Sequence, residues 1–305
     1  MPKTLLLIVG PTGVGKTELA LRLAEHWHCP IISCDSRQMY REIPIGTAAP
    51  TAEEQRRVKH YFVGDRSITE DYNAGQYERD ALALMDQLFA AHDTLIMTGG
   101  SMLYADAVCK GLDDLPAVPN DIRAHVNEQH ATHGLAWLQQ EVQRLDPNYW
   151  AVVDQNNPAR LKHCVELCLA TGSAYSSLRT QPHKERPFRI VKVGLDRPRA
   201  ELYARINQRV EQMMDGGLLQ EAESVYAQRH LNSLQTVGYR ELFGYLSGEY
   251  NLDRAIELIQ QNSRHYAKRQ LTWFRRDSDI HWLDARNDYE TNIHCIDGLL
   301  NDDCV

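Results

Sequence analysis

The segment from residue 10 to residue 17 constrains the fold of this chain more than any other part of the sequence. It consists of Gly10, Pro11, Thr12, Gly13, Val14, Gly15, Lys16 and Thr17, and it fits the pattern G-x-x-x-x-G-K-[ST]. An apolar run precedes it and a helical pattern follows it, which is the context that a phosphate-binding loop requires. Glycines let backbone N–H groups curl around phosphate oxygens, Lys16 adds a positive charge, and the Thr17 hydroxyl can ligate Mg²⁺. The segment therefore predicts a site for a di- or triphosphate.

Short apolar runs alternate with helical patterns on either side of this loop. Strands are predicted at Thr4–Val9, Ile31–Cys34, 93–98 and 189–195, and helices at 16–26, 77–91, 199–215, 218–228 and 253–276. Strands that alternate with helices favour a parallel sheet covered by helices on both faces. The predicted fold class is α/β, a P-loop NTPase-like parallel sheet core flanked by helices, with an all-helical insertion domain.

The insertion is predicted over residues 112–187. A proline-punctuated stretch, Leu115–Pro119, opens it, helical patterns follow at 121–145 and 158–171, and Pro182 and Pro187 bracket its exit. Residues 1–111 and 188–305 then form the catalytic core.

The net charge of −8 is concentrated at the C-terminal end. Residues 277–305 hold eight acidic side chains and one arginine, so they contribute −7 and leave −1 for the rest of the chain. A nearly neutral body can still carry a basic face, and a basic cluster comprises Arg264, Lys268, Arg269, Arg275 and Arg276. By composition, the last ~20 residues are expected to be weakly ordered or peripheral. Trp273 and Phe274 are expected in the core.

The remaining composition excludes several protein classes. The chain is expected to be cytoplasmic and not a membrane protein, because the early apolar run Leu5–Val9 is far shorter than the ~20 residues of a spanning helix and no signal-peptide pattern is present. Seven scattered cysteines without a C-x-x-C pair argue against disulfides. Cys164 and Cys168 lie one helical turn apart and are interpreted as buried thiols rather than metal ligands.

A nucleotide hydrolase usually carries an aspartate at the end of a second strand, but the strand at 93–98 ends in Gly99-Gly100-Ser101. The available carboxylate is Asp35, directly after the strand Ile31–Cys34. Asp35 could ligate a metal, act as a base, or cap the following turn. Because active sites gather at the carboxyl ends of parallel strands, the phosphate loop, Asp35 and Gly99–Ser101 are expected to converge.

Six motifs follow one another along the chain: Gly10–Thr17, Asp35–Arg41 (DSRQMYR), Ile45–Pro50 (IGTAAP), Gly99–Tyr104 (GGSMLY), Val237–Arg240 (VGYR) and Ala267–Trp273 (AKRQLTW). In this order, over about residues 1–284, they resemble the tRNA dimethylallyltransferase family. The chain departs from the family pattern at Ala49 (usually Lys), Ser101 (commonly Thr), Asn157 (often Asp) and His163 (often Arg).

The resemblance implies transfer of a dimethylallyl group from dimethylallyl diphosphate to N6 of the adenosine 3′-adjacent to the anticodon of tRNA. Asp35 would be the general base. Lys16, Thr17 with Mg²⁺, and Arg209 would stabilise the departing diphosphate.

The resemblance also implies a set of tRNA-binding residues in a protein expected to be a monomer. In the core they are Asp35, Ser36, Arg37, Gln38, Ser101, Gln235, Thr236, Val237, Gly238, Tyr239 and Arg240; in the insertion they are Arg123, Arg160, Leu161, Lys162, His163 and Cys164.

Two alternatives follow from the residues alone. A small-molecule or nucleotide kinase would share the phosphate loop and a helical lid, but it has no reason to carry Gly99–Tyr104 and Ala267–Trp273 together. A non-enzymatic RNA-binding module would not need Lys16, Thr17 and Asp35 together.

Overall fold

The structure of the protein is a computed structural model that describes residues 3–180 and 184–301. The chain forms two compact units, one made of residues 1–109 with 185–305 and the other of residues 110–184. The predicted insertion, 112–187, overlaps the second unit. The predicted exit at Pro182 lies outside the described residues, as do Asp302, Asp303 and Cys304 of the acidic tail.

The first unit is built on a six-stranded parallel sheet. Its strands are β1 (Thr4–Val9), β2 (Ile31–Ser33), β3 (His60–Tyr61), β4 (Thr94–Thr98), β5 (Arg189–Asp196) and β6 (Ile280–Asp284), in the order β3-β2-β4-β1-β5-β6. β1 lies between β4 and β5, with Leu6 opposite Ile96 on one side and Val191 on the other. All six residues of β1 are buried, as expected for a strand covered on both faces. The predicted fold class is confirmed.

Nine α-helices pack around this sheet in the described part of the first unit. They are α1 (Lys16–Trp27), α2 (Ala52–Arg57), α3 (Ala74–Leu88), α4 (Met102–Lys110), α9 (Arg199–Asp215), α10 (Leu218–Val225), α11 (Tyr239–Leu246), α12 (Leu252–Phe274) and α13 (Tyr289–Asn301). The helix predicted over 218–228 ends at Val225 and continues as a 3₁₀ turn, Tyr226–Gln228. Among the described residues, no helix combines the length and apolarity needed to cross a bilayer.

The second unit is helical in its described residues. It contains α5 (Asn120–Leu145), α6 (Pro147–Trp150), α7 (Pro158–Thr171) and α8 (Tyr175–Leu178). The helix predicted over 121–145 is interrupted at Gly134, whose φ of 68° and ψ of −163° are not helical. Val126, Leu138 and Val165 contribute to its apolar core. Cys164 and Cys168 are both buried there, with their Sγ atoms 4.0 Å apart.

Two sequence expectations about the C-terminal region were wrong. The acidic end is not peripheral: β6 pairs with β5, and α13 buries Ile293 and Ile296 against the core. Composition does not reveal this element because most of its residues are polar and only a few, among them Ile293 and Ile296, are buried. Trp273 is 36% exposed and donates from Nε1 to Asp106 Oδ2 at 2.9 Å, whereas Phe274 is buried as expected.

The packing of α13 leads to a stability prediction. We expect Ile296→Ala to lower the free energy of unfolding by about 2–5 kcal/mol, because it removes a fully buried side chain and leaves a cavity. Urea denaturation followed by circular dichroism measures this loss. His294→Ala is the matched control on the exposed face of the same helix and should change stability by less than about 0.5 kcal/mol. Equal effects of the two changes would contradict the role of α13 in the core.

Candidate functional site

The phosphate loop joins the end of β1 to the start of α1 and leaves no room for side chains at its first residue. Gly10 has a φ of 142°, and a Cβ placed there would lie 2.6 Å from the Leu195 carbonyl oxygen. Gly15 precedes α1 in the left-handed region, with a φ of 117°. Only glycine adopts these backbone conformations readily, so the loop shape follows from the sequence. It presents the N-terminus of α1, whose free N–H groups and partial positive charge suit an anion.

Lys16 lies inside this loop rather than in solvent. Its Nζ donates to the carbonyl oxygens of Gly10 and Pro11, each at 2.9 Å. Burial, together with the nearby positive charge of Arg209, lowers the pKa of Lys16 to about 8, while the carboxylate of Asp35 opposes that shift. The ammonium group is therefore held next to the anion site with a pKa close to neutral pH.

Asp35 follows β2, and its two carboxylate oxygens have different surroundings. Oδ1 accepts from the backbone N–H groups of Arg37, at 2.9 Å, and Gln38, at 3.4 Å. Oδ2 points toward the other side, where a Cβ on Gly100 would lie 3.2 Å from it. The capping role considered from the sequence is thus present on one oxygen and leaves the second oxygen directed at the site.

The loop after β4 packs directly against this turn. A Cβ on Gly99 would lie 2.5 Å from the carbonyl carbon of Cys34, so a larger residue would push the two loops apart. Ser101 Oγ accepts from the Ser36 backbone N–H at 2.8 Å and donates to Ser36 Oγ at 2.9 Å. Ser101 and Ser36, both predicted site residues, are therefore brought together.

Gln270 is a site residue that the sequence analysis missed. It is fully buried on α12, accepts from the Thr12 backbone N–H at 2.8 Å, and donates to the Gly100 carbonyl oxygen at 2.8 Å. Tyr266, one helical turn earlier, donates to the same carbonyl oxygen at 3.1 Å. One amide side chain thus links the phosphate loop to the loop after β4. Its position within the motif Ala267–Trp273 was the only available signal, because a polar residue on an amphipathic helix does not reveal its partners.

Arg209 on α9 completes the charged part of the site. Its Nη1 donates to Thr12 Oγ1 at 3.3 Å. Burial lowers the pKa of the guanidinium, and the carboxylate of Asp35 opposes that shift. Two cations and one carboxylate therefore face one cavity of about 80 Å³, which Thr17 and Gln38 also line.

A second cavity, of about 120 Å³, shares part of this lining and adds several apolar side chains. Both cavities are lined by Thr12, Asp35, Thr47, Arg209 and Tyr266. The second adds the apolar side chains of Ile206, Val210, Met213, Leu218 and Ile259. The combined site can hold a molecule with an anionic end on the phosphate loop and a hydrocarbon end among these side chains.

The loop that carries Thr47 is fixed by a buried carboxylate on α10. Glu221 accepts from the backbone N–H groups of Ile45 and Gly46, each at 2.8 Å, and from the hydroxyl of Tyr239. Burial and the charge of Glu221 raise the pKa of Tyr239, so its hydroxyl remains a donor. Tyr239 is fully buried, and its side chain supports this loop instead of offering a surface to a polynucleotide.

The other predicted tRNA-binding residues of the core divide by exposure. Gln235 and Arg240 are exposed. Arg37, Thr236, Val237 and Gly238 line the second cavity. Gln38 donates from Nε2 to the Ala48 carbonyl oxygen at 3.0 Å.

The predicted residues of the second unit also divide by exposure. Arg123, Arg160 and His163 are exposed, and Lys162 donates to Asn127 Oδ1 at 2.8 Å. The side chains of Leu161 and Cys164 are fully buried in the apolar core of that unit. Of these six predicted residues, only Arg123, Arg160, Lys162 and His163 can therefore present polar side-chain groups to RNA.

The comparisons with known proteins all indicate one protein family. The model of the IPP transferase family matches residues 38–277. A tRNA dimethylallyltransferase 1 of Bacteroides fragilis is 55% identical over 94% of this chain and 96% of the relative, and one of Phocaeicola vulgatus is 54% identical over 97% and 99%.

A solved structure is also similar over nearly the whole length. The tRNA isopentenylpyrophosphate transferase of Bacillus halodurans is 34% identical, with a TM-score of 0.72 over 98% of this chain and 95% of that one. A eukaryotic dimethylallyltransferase acting on tRNA, 22% identical, shares the fold with a TM-score of 0.79 over 99% and 81%. The relatives are prenyl transferases, so the kinase alternative is not favoured. With the family model spanning most of its length and relatives above 50% identity, the chain belongs to the IPP transferase family of tRNA dimethylallyltransferases.

Proposed function

We propose that this enzyme transfers a dimethylallyl group from dimethylallyl diphosphate to N6 of the adenosine 3′-adjacent to the anticodon in tRNA. The observation that carries the proposal is the shared lining of the two cavities. Asp35 and Arg209 lie where the polar cavity of the phosphate loop meets the apolar cavity. A prenyl diphosphate has this same division between a charged and a hydrocarbon end, whereas ATP would place a polar ribose and base among Met213, Leu218 and Ile259.

The phosphate loop, Lys16 and Arg209 would bind the diphosphate. As the bond from the prenyl carbon to the diphosphate oxygen breaks, its electron pair stays with the leaving group, and negative charge grows on that oxygen. Fixed cations in a site shielded from water stabilise such charge strongly. Lys16 and Arg209 are both held by loop atoms before the substrate binds, so little reorganisation is required.

Asp35 would accept the proton that the adenosine amine loses. As the new C–N bond forms, N6 becomes positively charged and must release a proton to a group within hydrogen-bond reach. Oδ1 is engaged by the turn, which orients the carboxylate and leaves Oδ2 free to take the proton. The products are then prenylated adenosine, diphosphate and a protonated Asp35.

The residues present fit a Mg²⁺ ion at Thr17. Its hydroxyl is exposed and has no hydrogen-bond partner among the described residues. In the same part of the chain no cluster of three or more histidine, cysteine or acidic side chains could hold a metal alone. Diphosphate and water oxygens would supply the other ligands, and the ion would neutralise part of the leaving-group charge.

The tRNA would be held by polar residues of both units. Gln235 and Arg240 are exposed in the core and Arg37 is half-buried there, while Arg123 and Arg160 are exposed in the helical insertion. The target base must leave its stack to reach Asp35, and bases in an RNA loop are already partly unstacked. All the residues assigned to the chemistry lie in one chain, so a monomer is sufficient. We expect the enzyme to act in the cytoplasm, where bacterial tRNA is found.

Asp35→Asn tests the assigned base. Asparagine can keep the turn through its amide oxygen but cannot accept the proton, so we expect kcat to fall by about 10²–10⁴-fold. The measurement is prenylated adenosine formed from unmodified tRNA and dimethylallyl diphosphate, determined by mass spectrometry of the digested nucleosides. Asp86→Asn, on the exposed face of α3, should retain full activity. An active Asp35→Asn enzyme would assign the proton transfer to another group.

The pKa of Lys16 predicts how diphosphate binding depends on pH. Below its pKa of about 8 the ammonium is charged and binds the anion, so affinity is highest there. Above pH 8 the free enzyme loses this proton, and affinity should fall by up to about tenfold per pH unit. Calorimetric titration with magnesium diphosphate from pH 6.5 to 9.5 measures the effect. Since diphosphate itself titrates in this range, Lys16→Gln is the reference, and parallel profiles for the two proteins would refute the prediction.

Glu221→Gln tests the support of the Thr47 loop. The substitution places an amide N–H group opposite a backbone N–H group, so we expect a loss of about 1–3 kcal/mol in the free energy of unfolding and a lower kcat/KM for prenyl transfer. Thermal denaturation and initial rates provide the two readouts. Glu223→Gln, an exposed change on the same helix, should leave both values as in the wild type. The proposed support fails if Glu221→Gln behaves like Glu223→Gln.

A further inference from the structure

A third cavity, of about 610 Å³, lies beside the proposed reaction site at the same edge of the sheet. Asp196, the last residue of β5, and Asp284, the last residue of β6, both line it. The carboxyl ends of parallel strands are where α/β proteins bind their ligands. The cavity is therefore in a functional position, although the chemistry assigned above does not use it.

Helix α9 separates this cavity from the phosphate loop. Arg205 donates from Nε to the Gly13 carbonyl oxygen at 2.9 Å, and Arg209 contacts Thr12, so these side chains serve the loop. Arg199, Leu202 and Tyr203, on another part of the helix, line the cavity. No residue lines both this cavity and either of the two described above.

The cavity carries an excess of positive charge in a protein with a net charge of −8. Four basic side chains line it, against two carboxylates. Both carboxylates are already paired: Asp196 with Arg275, and Asp284 with Arg286, each at 2.6 Å.

Two of the basic side chains remain available to a ligand. Lys268 and Arg199 have no carboxylate partner within the described ranges 3–180 and 184–301. Unneutralised cations at a concave surface favour an anionic ligand.

The walls of the cavity favour a flat aromatic group beside that anion. Tyr203 and Trp282 both line it. The guanidinium carbon of Arg199 lies 5.1 Å from the ring centroid of Tyr203, and that of Arg275 lies 6.0 Å from the ring centroid of Trp282. Leucine side chains from α9, α12 and β6 supply apolar surface. Aromatic rings interleaved with arginine and lysine are the surface on which proteins stack nucleobases and hold phosphates.

The arrangement suits a phosphodiester chain better than a free nucleoside triphosphate. Clustered phosphates are usually held by a nest of successive backbone N–H groups, and the lining here includes no glycine. The available cations instead stand on two different helices, Arg199 on α9 and Lys268 on α12. Separate single charges match phosphates that follow one another along a strand.

We propose that this cavity is an RNA subsite that takes a nucleotide from the single-stranded region of the tRNA substrate. The base packs against Tyr203 or Trp282, and the flanking phosphates contact Arg199 and Lys268. The identity of the RNA rests on the proposed function, whereas the preference for a single-stranded nucleotide rests on the cavity itself.

The test is the affinity for an unmodified tRNA transcript without prenyl donor, measured by fluorescence anisotropy from 50 to 300 mM KCl. We expect the double variant Arg199→Gln/Lys268→Gln to bind at least tenfold more weakly at the lowest salt. Its plot of log K against log[KCl] should be shallower by about 1.4, because each single-strand phosphate contact contributes about 0.7. Tyr203→Leu should weaken binding several-fold without changing that slope, since stacking releases no counterions.

A charge-matched control distinguishes the cavity from general electrostatics. Arg79→Gln/Arg254→Gln removes two exposed arginines from α3 and α12 and should bind tRNA within twofold of the wild type. Equal losses in the two double variants, or an unchanged salt slope for Arg199→Gln/Lys268→Gln, would overturn the proposal. So would a loss of ATP affinity with tRNA affinity intact, since the cavity would then serve a free nucleotide. Because no prenyl donor is present, the result is independent of whether the enzyme makes prenylated adenosine.

Discussion

The site depends on backbone segments that approach one another too closely for any side chain to lie between them. A Cβ on Gly10 would reach the carbonyl oxygen of Leu195, and one on Gly99 would reach the backbone of Cys34. The first contact brings the end of β1 against the end of β5, and the second brings the end of β4 against the end of β2. Because the sheet is parallel, all four ends lie on the same edge, and the loops that follow them must share one small volume. The charged side chains carried by these loops therefore lie close together.

Much of this could be predicted from local sequence. The strand over Thr4–Val9 was predicted with its observed bounds, because five consecutive apolar residues that end at Gly10-Pro11 indicate a short buried strand. Lys16, Thr17 and Asp35 were expected to converge, and all three line one cavity. These predictions succeed because strand ends, glycine turns and helix starts are encoded within a few residues.

Interactions between distant segments could not be predicted in this way. Gln270 bonds to Thr12 across 258 residues, and Glu221 bonds to Ile45 across 176. Glutamine and glutamate on amphipathic helices normally face solvent, so neither residue type nor spacing reveals a buried partner. The strand Ile280–Asp284 was missed for a related reason, since an edge strand is half exposed and its mixed composition resembles that of a loop.

The packing at Gly46 links three positions that are far apart in the sequence. A Cβ there would lie 2.5 Å from the Tyr239 hydroxyl oxygen, which in turn donates to Glu221. Any larger residue at position 46 therefore requires a smaller one at position 239, and loss of that hydroxyl removes one of the donors to a buried carboxylate. Because these residues are in direct contact, we expect the effects of substitutions at the three positions to be non-additive. In a library of variants, positions 46, 221 and 239 should be randomised together, because a change at one position alone would miss the compensating changes at the other two.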